Sequence, residues 1–180
     1  MSIGMKRGTV YLEDHQSSWE ESAKTVIADI QTALTGLDAD VQHIGSTAIM
    51  SIKAKPIIDI AAAVNDLDEV IARNEKLAGL GIVFRFDERP EHLLYVKGDF
   101  EKNTRTHHIH IVSKCSEEWK NYLCFRDYLN DNLSIAREYE KMKLELWKKY
   151  ADNRIAYTDA KEAFIRSVTA KARELYKDKY

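Results

Sequence analysis

Two stretches in the first half of the chain decide the fold. Residues 41–47 read VQHIGST, and residues 55–64 read KPIIDIAAAV. The first stretch is typical of a short strand that ends at Gly45, and Ser46-Thr47 can cap a brief helical turn behind it. The second stretch is apolar on both faces except at Asp59, which is typical of a central strand covered on both sides. This order predicts a sheet with a polar site at the turn.

Further strands and helices are predicted around these two stretches. Residues 10–12 favour an edge strand, and apolar residues recur at helical spacing from Trp19 to Leu37. A second helix is expected after Asn65-Asp66 and ends near Gly79. Three more β runs follow, at residues 82–86, 92–97 and 106–112.

From Ser116 onward the periodicity predicts only helices. Three amphipathic stretches follow one another, and Thr158 is the expected cap of the last one. We therefore predict an α/β (α+β) fold, in which a mixed sheet is flanked by helices and the last third is helical. Residues 1–180 are expected to form one domain, with a sheet-containing core over about 10–113 and a helical layer over about 116–178.

The composition excludes several classes of protein. The chain has 180 residues, of which 44% are hydrophobic and 31% charged, and its formal net charge is −2. No apolar run is long enough to span a membrane and no secretory signal is found, so no membrane partner is expected. The small net charge argues against general nucleic-acid binding. The two cysteines, Cys115 and Cys124, suit a reducing compartment, so we expect a cytoplasmic protein.

The Gly-Ser turn is a candidate phosphate site. Backbone N–H groups and hydroxyls at Gly45, Ser46 and Thr47 can face an anion where the strand passes into a helical turn. Asp59 is the only charge in the buried strand, so it needs a metal, a cation or hydrogen-bond donors as its partner. A structural salt bridge explains Asp59 equally well, and both interpretations stay open here.

Histidines are candidates for a metal site near Asp59. Strand alternation in the last β run places His108 and His110 on one face and His107 on the other. Two imidazoles at this spacing can ligate one metal, or bind phosphate when protonated. A half-buried pair without function is the more frequent case. If this strand lies beside the Asp59 strand, then Asp59, His108 and His110 can converge, with His43 as a further ligand.

Basic residues can neutralise a phosphorylated ligand. The candidates are Lys55, Arg85, Arg89, Arg105 and Arg126. Lys55 is the strongest, because it directly precedes the Asp59 strand and can offset charge on a phosphate. Arg126 is followed by Asp127 inside an aromatic helix, which favours an internal ion pair there. The lysines and glutamates of the last third are interpreted as solvated faces of amphipathic helices.

Four motifs in order make the chain resemble a known family. They are residues 43–47 (HIGST), 55–60 (KPIIDI), 106–112 (THHIHIV) and 125–129 (FRDYL). Together they resemble the GrpB family, also called UPF0157, and the resemblance covers nearly the whole chain. It implies a nucleotidyltransferase-like fold.

The wider nucleotidyltransferase superfamily has a Gly-Ser turn and then a strand with two acidic residues spaced by one. The resemblance assigns residues 45–46 to the turn and Asp59 to the first acid, and Ala61 stands where the second acid would fall. A third carboxylate usually comes from a later strand, where this chain offers His108 or His110. One aspartate and two histidines suit Mn²⁺ or Zn²⁺ better than the Mg²⁺ of ordinary nucleotidyl transfer.

Three functions remain open at this point. The first is metal-dependent nucleotidyl or phosphoryl transfer to an unknown acceptor, with Asp59 and a histidine on the metal and the turn on the triphosphate. The second is a module that binds a nucleotide or another phosphorylated small molecule without chemistry, since the second acid is absent. The third is a metal-dependent hydrolase that uses the histidine pair.

Overall fold

A five-stranded mixed sheet forms the centre of the molecule, with the strand order β2-β3-β7-β5-β4. The computed structural model describes residues 3–85 and 91–180. Among the strand pairs of this sheet, β3 and β7 run parallel and the other three pairs are antiparallel. The strands of the sheet are β2 (Asp40–Ile44), β3 (Ile58–Val64), β4 (Val83–Arg85), β5 (His92–Lys97) and β7 (His107–Ser113), while β1 (Met5–Lys6) and β6 (Thr104–Arg105) form a separate antiparallel pair.

Helices cover the sheet and form most of the last third of the chain, as the sequence predicts. None of the helices in the described ranges is long and apolar enough to cross a membrane. The helices are α1 (Ser17–Ala33), α2 (Leu67–Ile71), α3 (Asn74–Gly79), α4 (Glu117–Asp131), α5 (Leu133–Tyr150), α6 (Arg154–Asp159) and α7 (Glu162–Leu175), and a 3-10 turn, Ser46–Ala48, follows β2.

The central position of β3 is confirmed, and its two faces pack against different helices. On one face, Ile60 belongs to the larger core together with Ile30 of α1. On the other face, Ala61 and Ala63 are fully buried and belong to a cluster with Trp119 of α4. Because alanine is small, α4 can pack closely against this face of the strand.

Local signals explain where several elements begin. The Asp66 carboxylate accepts a hydrogen bond from the Asp68 N–H at 2.8 Å and caps α2. The Ser116 hydroxyl accepts one from the Trp119 N–H at 3.2 Å and caps α4. Both caps satisfy backbone donors that the first turn of a helix leaves unpaired. Phe86, the last residue of the predicted strand 82–86, lies outside the described residues.

The predicted edge strand at residues 10–12 is wrong. The Val10 N–H donates to the Ala151 carbonyl at 2.7 Å, and the Val10 side chain belongs to an apolar cluster with Tyr157. The segment runs along the C-terminal helices, so its backbone pairs with a helix end and not with a strand.

The predicted cap at Thr158 is also wrong, because the last amphipathic stretch forms two helices. Thr158 lies inside α6, where the Asn153 side chain accepts a hydrogen bond from the Ala156 N–H at the helix start. The second helix, α7, begins after Lys161, which has no side-chain cap hydrogen bond.

Candidate functional site

The turn after β2 brings the Gly-Ser pair beside Asp59. Ile44 of β2 pairs with Asp59 of β3, and the next residue, Gly45, has a φ of 69°, a region that favours glycine. A Cβ atom on Gly45 would lie 2.6 Å from the Asp59 Oδ2 atom. Glycine therefore fits here where larger residues do not, and the carboxylate lies directly against the turn.

Asp59 belongs to a chain of hydrogen bonds that ends at Arg154. His108 is the neighbour of Asp59 on β7, and its Nδ1 atom lies 3.1 Å from Asp59 Oδ1. The Nε2 atom of the same ring lies 3.2 Å from Arg154 Nη2. A guanidinium only donates, so Nε2 accepts from Arg154 and Nδ1 carries the proton that His108 donates to Asp59. His108 therefore connects the Asp59 carboxylate to the Arg154 guanidinium through its two ring nitrogens.

Three lysines lie in this part of the molecule, and two of them are buried. Lys143 is 1% exposed and Lys161 is 9% exposed, and Lys55 is half-buried. The Nζ atoms of Lys55 and Lys161 lie 5.4 and 4.7 Å from the ring centroid of Tyr157. The Nζ atom of Lys143 lies 4.6 Å from the ring centroid of Tyr139. The aromatic faces partly stabilise these cations where water is excluded.

Burial lowers the pKa values of all three lysines. Burial, Lys161 and Arg154 together lower the pKa of Lys55 to about 7. Burial and the charge of Lys161 lower the pKa of Lys143 to about 7. Burial lowers the pKa of Lys161 to about 8, although Asp59 opposes the shift. Burial is the largest cause for each lysine, and it outweighs the opposing effect of the neighbouring carboxylates.

The surroundings that favour the neutral form of the lysines favour the charged form of Asp59. Burial alone would raise the pKa of Asp59, but the hydrogen bond from His108 and the nearby basic side chains, Lys55 among them, hold it well below its usual range. Asp59 is therefore ionised at neutral pH.

A cavity of about 970 Å³ opens at this point between the sheet and helices α4 and α7. Gly45, Ser46, Asp59, His110 and Lys161 are among its lining residues, so four of the sequence candidates lie at one cavity. The volume suits a ligand of nucleotide size. The walls further include Glu117, Glu118, Asn121, Tyr122, Phe125, Tyr139, Glu162, Ile165, Arg166 and Arg173.

Two predicted residues point away from this cavity. His43 pairs with Ile60 across β2 and β3, so it lies on the α1 face of the sheet, opposite to Asp59. Its Nε2 atom lies 2.9 Å from the hydroxyl of Thr47, which is 1% exposed. Burial lowers the pKa of His43 to about 4. The placement of His43 with Asp59, and of Thr47 on a phosphate, is therefore corrected: these two side chains bond each other.

The residues present do not fit the predicted divalent metal site. Within residues 3–85 and 91–180, no group of three His, Cys, Asp or Glu side chains is arranged to hold a metal ion. Both ring nitrogens of His108 are engaged, by Asp59 and by Arg154. Position 61, next on this face of β3, is an alanine. Hard divalent cations need several oxygen ligands, and one carboxylate surrounded by cations does not supply them.

The other basic candidates take different places. Arg126 forms the internal ion pair, with its Nε atom 2.7 Å from Asp127 Oδ1. Its Nη1 atom also donates to the His43 carbonyl at 3.1 Å, which fastens α4 to β2. Arg85 and Arg105 line a second cavity on another side of His108. Arg89 lies outside the described residues.

Lys143, Lys161 and Arg154 are not predicted from the sequence as residues of this region. The interpretation of the C-terminal lysines as solvated is wrong for the first two, which are buried. A signal exists for them, because Lys143 follows the buried Tyr139 at i+4 and therefore occupies the apolar face of α5. Lys161 likewise follows the buried Tyr157 by four residues. Arg154 opens a short helix and carries no such signal.

Comparisons with known proteins agree with this architecture. A family model described as GrpB protein matches residues 9–171. Glutamate-rich protein GrpB of Alkalihalophilus pseudofirmus is 34% identical over 169 residues, which cover 92% of this chain and 97% of that protein. A UPF0157 protein of Streptomyces coelicolor is 31% identical over a match that covers 89% of this chain and 83% of that protein.

Solved structures extend the likeness to the fold. The crystal structure of GrpB from Enterococcus faecalis matches with a TM-score of 0.84 and 28% identity, covering 92% of this chain and 99% of that one. The Cid1 poly(U) polymerase with MgGTP bound matches with a TM-score of 0.53 and 13% identity, covering 76% of this chain and 44% of that one. The second likeness concerns the fold alone. This chain thus has a nucleotidyltransferase-like fold and belongs to the GrpB family.

Proposed function

We propose that this protein binds a phosphorylated small molecule, a nucleotide, in the cavity beside the Gly-Ser turn. One observation carries the proposal: Lys161, a lysine only 9% exposed, lines the cavity together with Ser46 of the Gly-Ser turn and Asp59. Buried cations without enough counter-charge destabilise a fold. A phosphate group brings about two negative charges and strong hydrogen-bond acceptors, which the buried ammonium of Lys161 can pair with.

Lys161 and Ser46 are the groups that would contact the phosphate. Both line the cavity, and Lys161 is a cation held nearly out of water, where its attraction for an anion is strong. The Ser46 hydroxyl has one long hydrogen bond, 3.4 Å to the Tyr139 hydroxyl, so it can reorient toward a ligand.

The remaining walls suit the base of a nucleotide. Tyr122 and Phe125 of α4 and Ile165 of α7 supply aromatic and apolar surface on which a planar ring can pack. Asn121 and Glu118 supply polar groups that can fix its orientation. The nucleotide in the Cid1 polymerase structure supports the choice, because that protein shares the fold.

Nucleotidyl or phosphoryl transfer is the second candidate. It is favoured by the position of Asp59 against the Gly-Ser turn, where the Gly45 backbone approaches the carboxylate. It requires a divalent metal, and the donor set described above does not fit one. We therefore rank binding without transfer first.

A thermal-shift panel tests the proposal. The four NTPs, the corresponding monophosphates and pyrophosphate are each run with EDTA, Mg²⁺, Mn²⁺ or Zn²⁺. A ligand at about 100 times its Kd stabilises the fold by roughly 2.7 kcal/mol, and we expect this shift with EDTA present. Lys161→Gln should lose the ligand-dependent shift, whereas Lys141→Gln, an exposed lysine on α5, should keep it.

Two outcomes contradict the proposal. A flat panel with every nucleotide rules out a nucleotide site. A shift that needs metal and disappears in Asp59→Asn replaces simple binding with the transfer function.

A further inference from the structure

A second cavity, of about 750 Å³, lies on the Arg154 side of His108 and is lined by arginines. Four arginines and two aspartates, Asp152 and Asp159, are among its lining residues, so positive charge exceeds negative charge there. The arginines come from separate parts of the chain, namely Arg7 after β1, Arg85 at the end of β4, Arg105 in β6 and Arg154 at the start of α6.

Across the described ranges, no carboxylate lies within salt-bridge distance of Arg7, Arg85, Arg105 or Arg154. Burial and the charges of Arg85 and Arg7 lower the pKa of Arg105, which shows that the three guanidinium groups repel one another. Like charges gathered without a partner destabilise the fold unless a ligand of opposite charge binds.

Two of the arginines are held in place by an aromatic ring. The Cζ atoms of Arg85 and Arg105 lie 5.1 and 4.7 Å from the ring centroid of Phe100. Arg105 Nη1 also donates to the Thr104 carbonyl at 3.0 Å. These contacts orient the two guanidinium groups beforehand, which reduces the entropy lost on binding an anion.

We propose that this cavity is a second anion site, which takes a multivalent phosphate anion such as the diphosphate or triphosphate group of a small molecule. Guanidinium groups bind phosphate oxygens with paired hydrogen bonds, and several phosphates match several arginines. Leu94, Val96 and the 76% exposed Ile155 add apolar surface for the organic part of the ligand. The site is separate from the Gly-Ser cavity, and Arg154 and His108 lie between it and Asp59.

Calorimetric titration with inorganic triphosphate tests this site on the full chain, at about 50 mM salt, where electrostatic binding is strong. The double variant Arg85→Gln/Arg105→Gln should weaken one binding event at least tenfold. A charge-matched control, Lys148→Gln/Lys149→Gln, removes two exposed cations from the end of α5 and should leave that event unchanged. Lys161→Gln should also leave it unchanged, which separates it from the first cavity.

Three results of the triphosphate titration overturn the proposal, and a fourth comes from an oligonucleotide. They are no binding of triphosphate to the wild type, equal binding by wild type and the arginine double variant, and equal weakening by the control pair, which would indicate only diffuse attraction. Binding of a single-stranded oligonucleotide that depends on the arginines, with no binding of triphosphate, also overturns it in favour of a nucleic-acid backbone. Arg7→Gln, at an exposed position, gives a second variant that should weaken binding more mildly.

Discussion

The two faces of the sheet carry histidines at adjacent positions, yet only one face carries the candidate site. On the α1 face, His43 bonds the Thr47 hydroxyl at 2.9 Å and His107 bonds the Ser22 hydroxyl at 3.1 Å. Burial lowers the pKa of each of these histidines to about 4. On the opposite face, His108 connects Asp59 to Arg154.

The two faces differ in the hydrogen-bond partners of their histidines. A hydroxyl satisfies a neutral imidazole and leaves no charge behind, so the α1 face can close into the core. A carboxylate and a guanidinium keep their charges, and the buried lysines around them add more. The face with Asp59 and His108 therefore keeps charged side chains that a ligand can pair with. The hydrogen bonds of His43 and His107 on the α1 face leave no such charge.

The largest effect is expected for Asp59→Asn. Removing the carboxylate takes away the negative charge that stabilises protonated Lys55 and Lys161, so the free energy of unfolding should fall by about 3 kcal/mol. Urea denaturation at pH 7 measures it. Asp38→Asn is the control, because its salt bridge to Lys114 is at the surface, where water screens the charges, and its loss should cost far less. Equal losses in the two variants would contradict the account of a charged interior.

Gly45→Ala should have the next largest effect. The new Cβ atom would meet the Asp59 carboxylate at a positive φ, so we expect a loss of about 2 kcal/mol. Gly36→Ala is the matched control, since Gly36 has a φ of 91° but no atom within 4 Å of a Cβ. It should lose about 1 kcal/mol, from the backbone alone. If the two losses are equal in thermal denaturation, the Asp59 contact is not significant.

Alkaline pH should stabilise the protein through the three lysines that have lowered pKa values. Lys55, Lys143 and Lys161 have pKa values of about 7 to 8 in the fold and ordinary, higher values when unfolded. The unfolded chain thus binds more protons above pH 7, and stability should rise from pH 7 to 9, by at most about 1.4 kcal/mol per pH unit for each lysine. Lys143→Met should reduce this slope in denaturation curves, and Lys141→Met, at an exposed position, should not.

Acid pH should destabilise the protein through the two histidines of the α1 face, His43 and His107. The effect should be smaller, because only two groups take part. The depressed pKa values of His43 and His107 mean that the unfolded state binds more protons between about pH 4 and 6.5. Stability should therefore fall as pH falls through this window. His107→Gln should flatten the acid side of the profile and leave the alkaline side unchanged. A change on the alkaline side instead would contradict the separation of the two faces.

Much of the fold is predictable from the sequence because local rules act there. The strand at residues 55–64 is apolar on both faces, and β3 lies between two strands. Gly45, Ser46 and Asp59 are likewise predictable as one site, since a tight turn returns the chain to the adjacent strand. The error at residues 10–12 is different in kind, because the partner of that segment comes from the end of the chain.

The charges of the site are harder to predict, for a physical reason. A lysine on a helix is ordinarily solvated, and the burial of Lys143 and Lys161 depends on which helix faces turn inward. Arg154 reaches His108 across 46 positions of sequence, and no local pattern encodes that contact. The prediction of a metal site failed to foresee this second partner of His108.

The sign of the effect of Asp59→Asn on anion binding tests the central claim most directly. Pyrophosphate is titrated by calorimetry in EDTA, in the Arg85→Gln/Arg105→Gln background that removes the second cavity as a binding site. If the cavity beside the Gly-Ser turn binds phosphate through its basic side chains, Asp59→Asn removes a carboxylate that repels the anion. Binding should then become several-fold tighter. Loss of binding in Asp59→Asn, or binding that appears only when a divalent metal is added, would contradict the account.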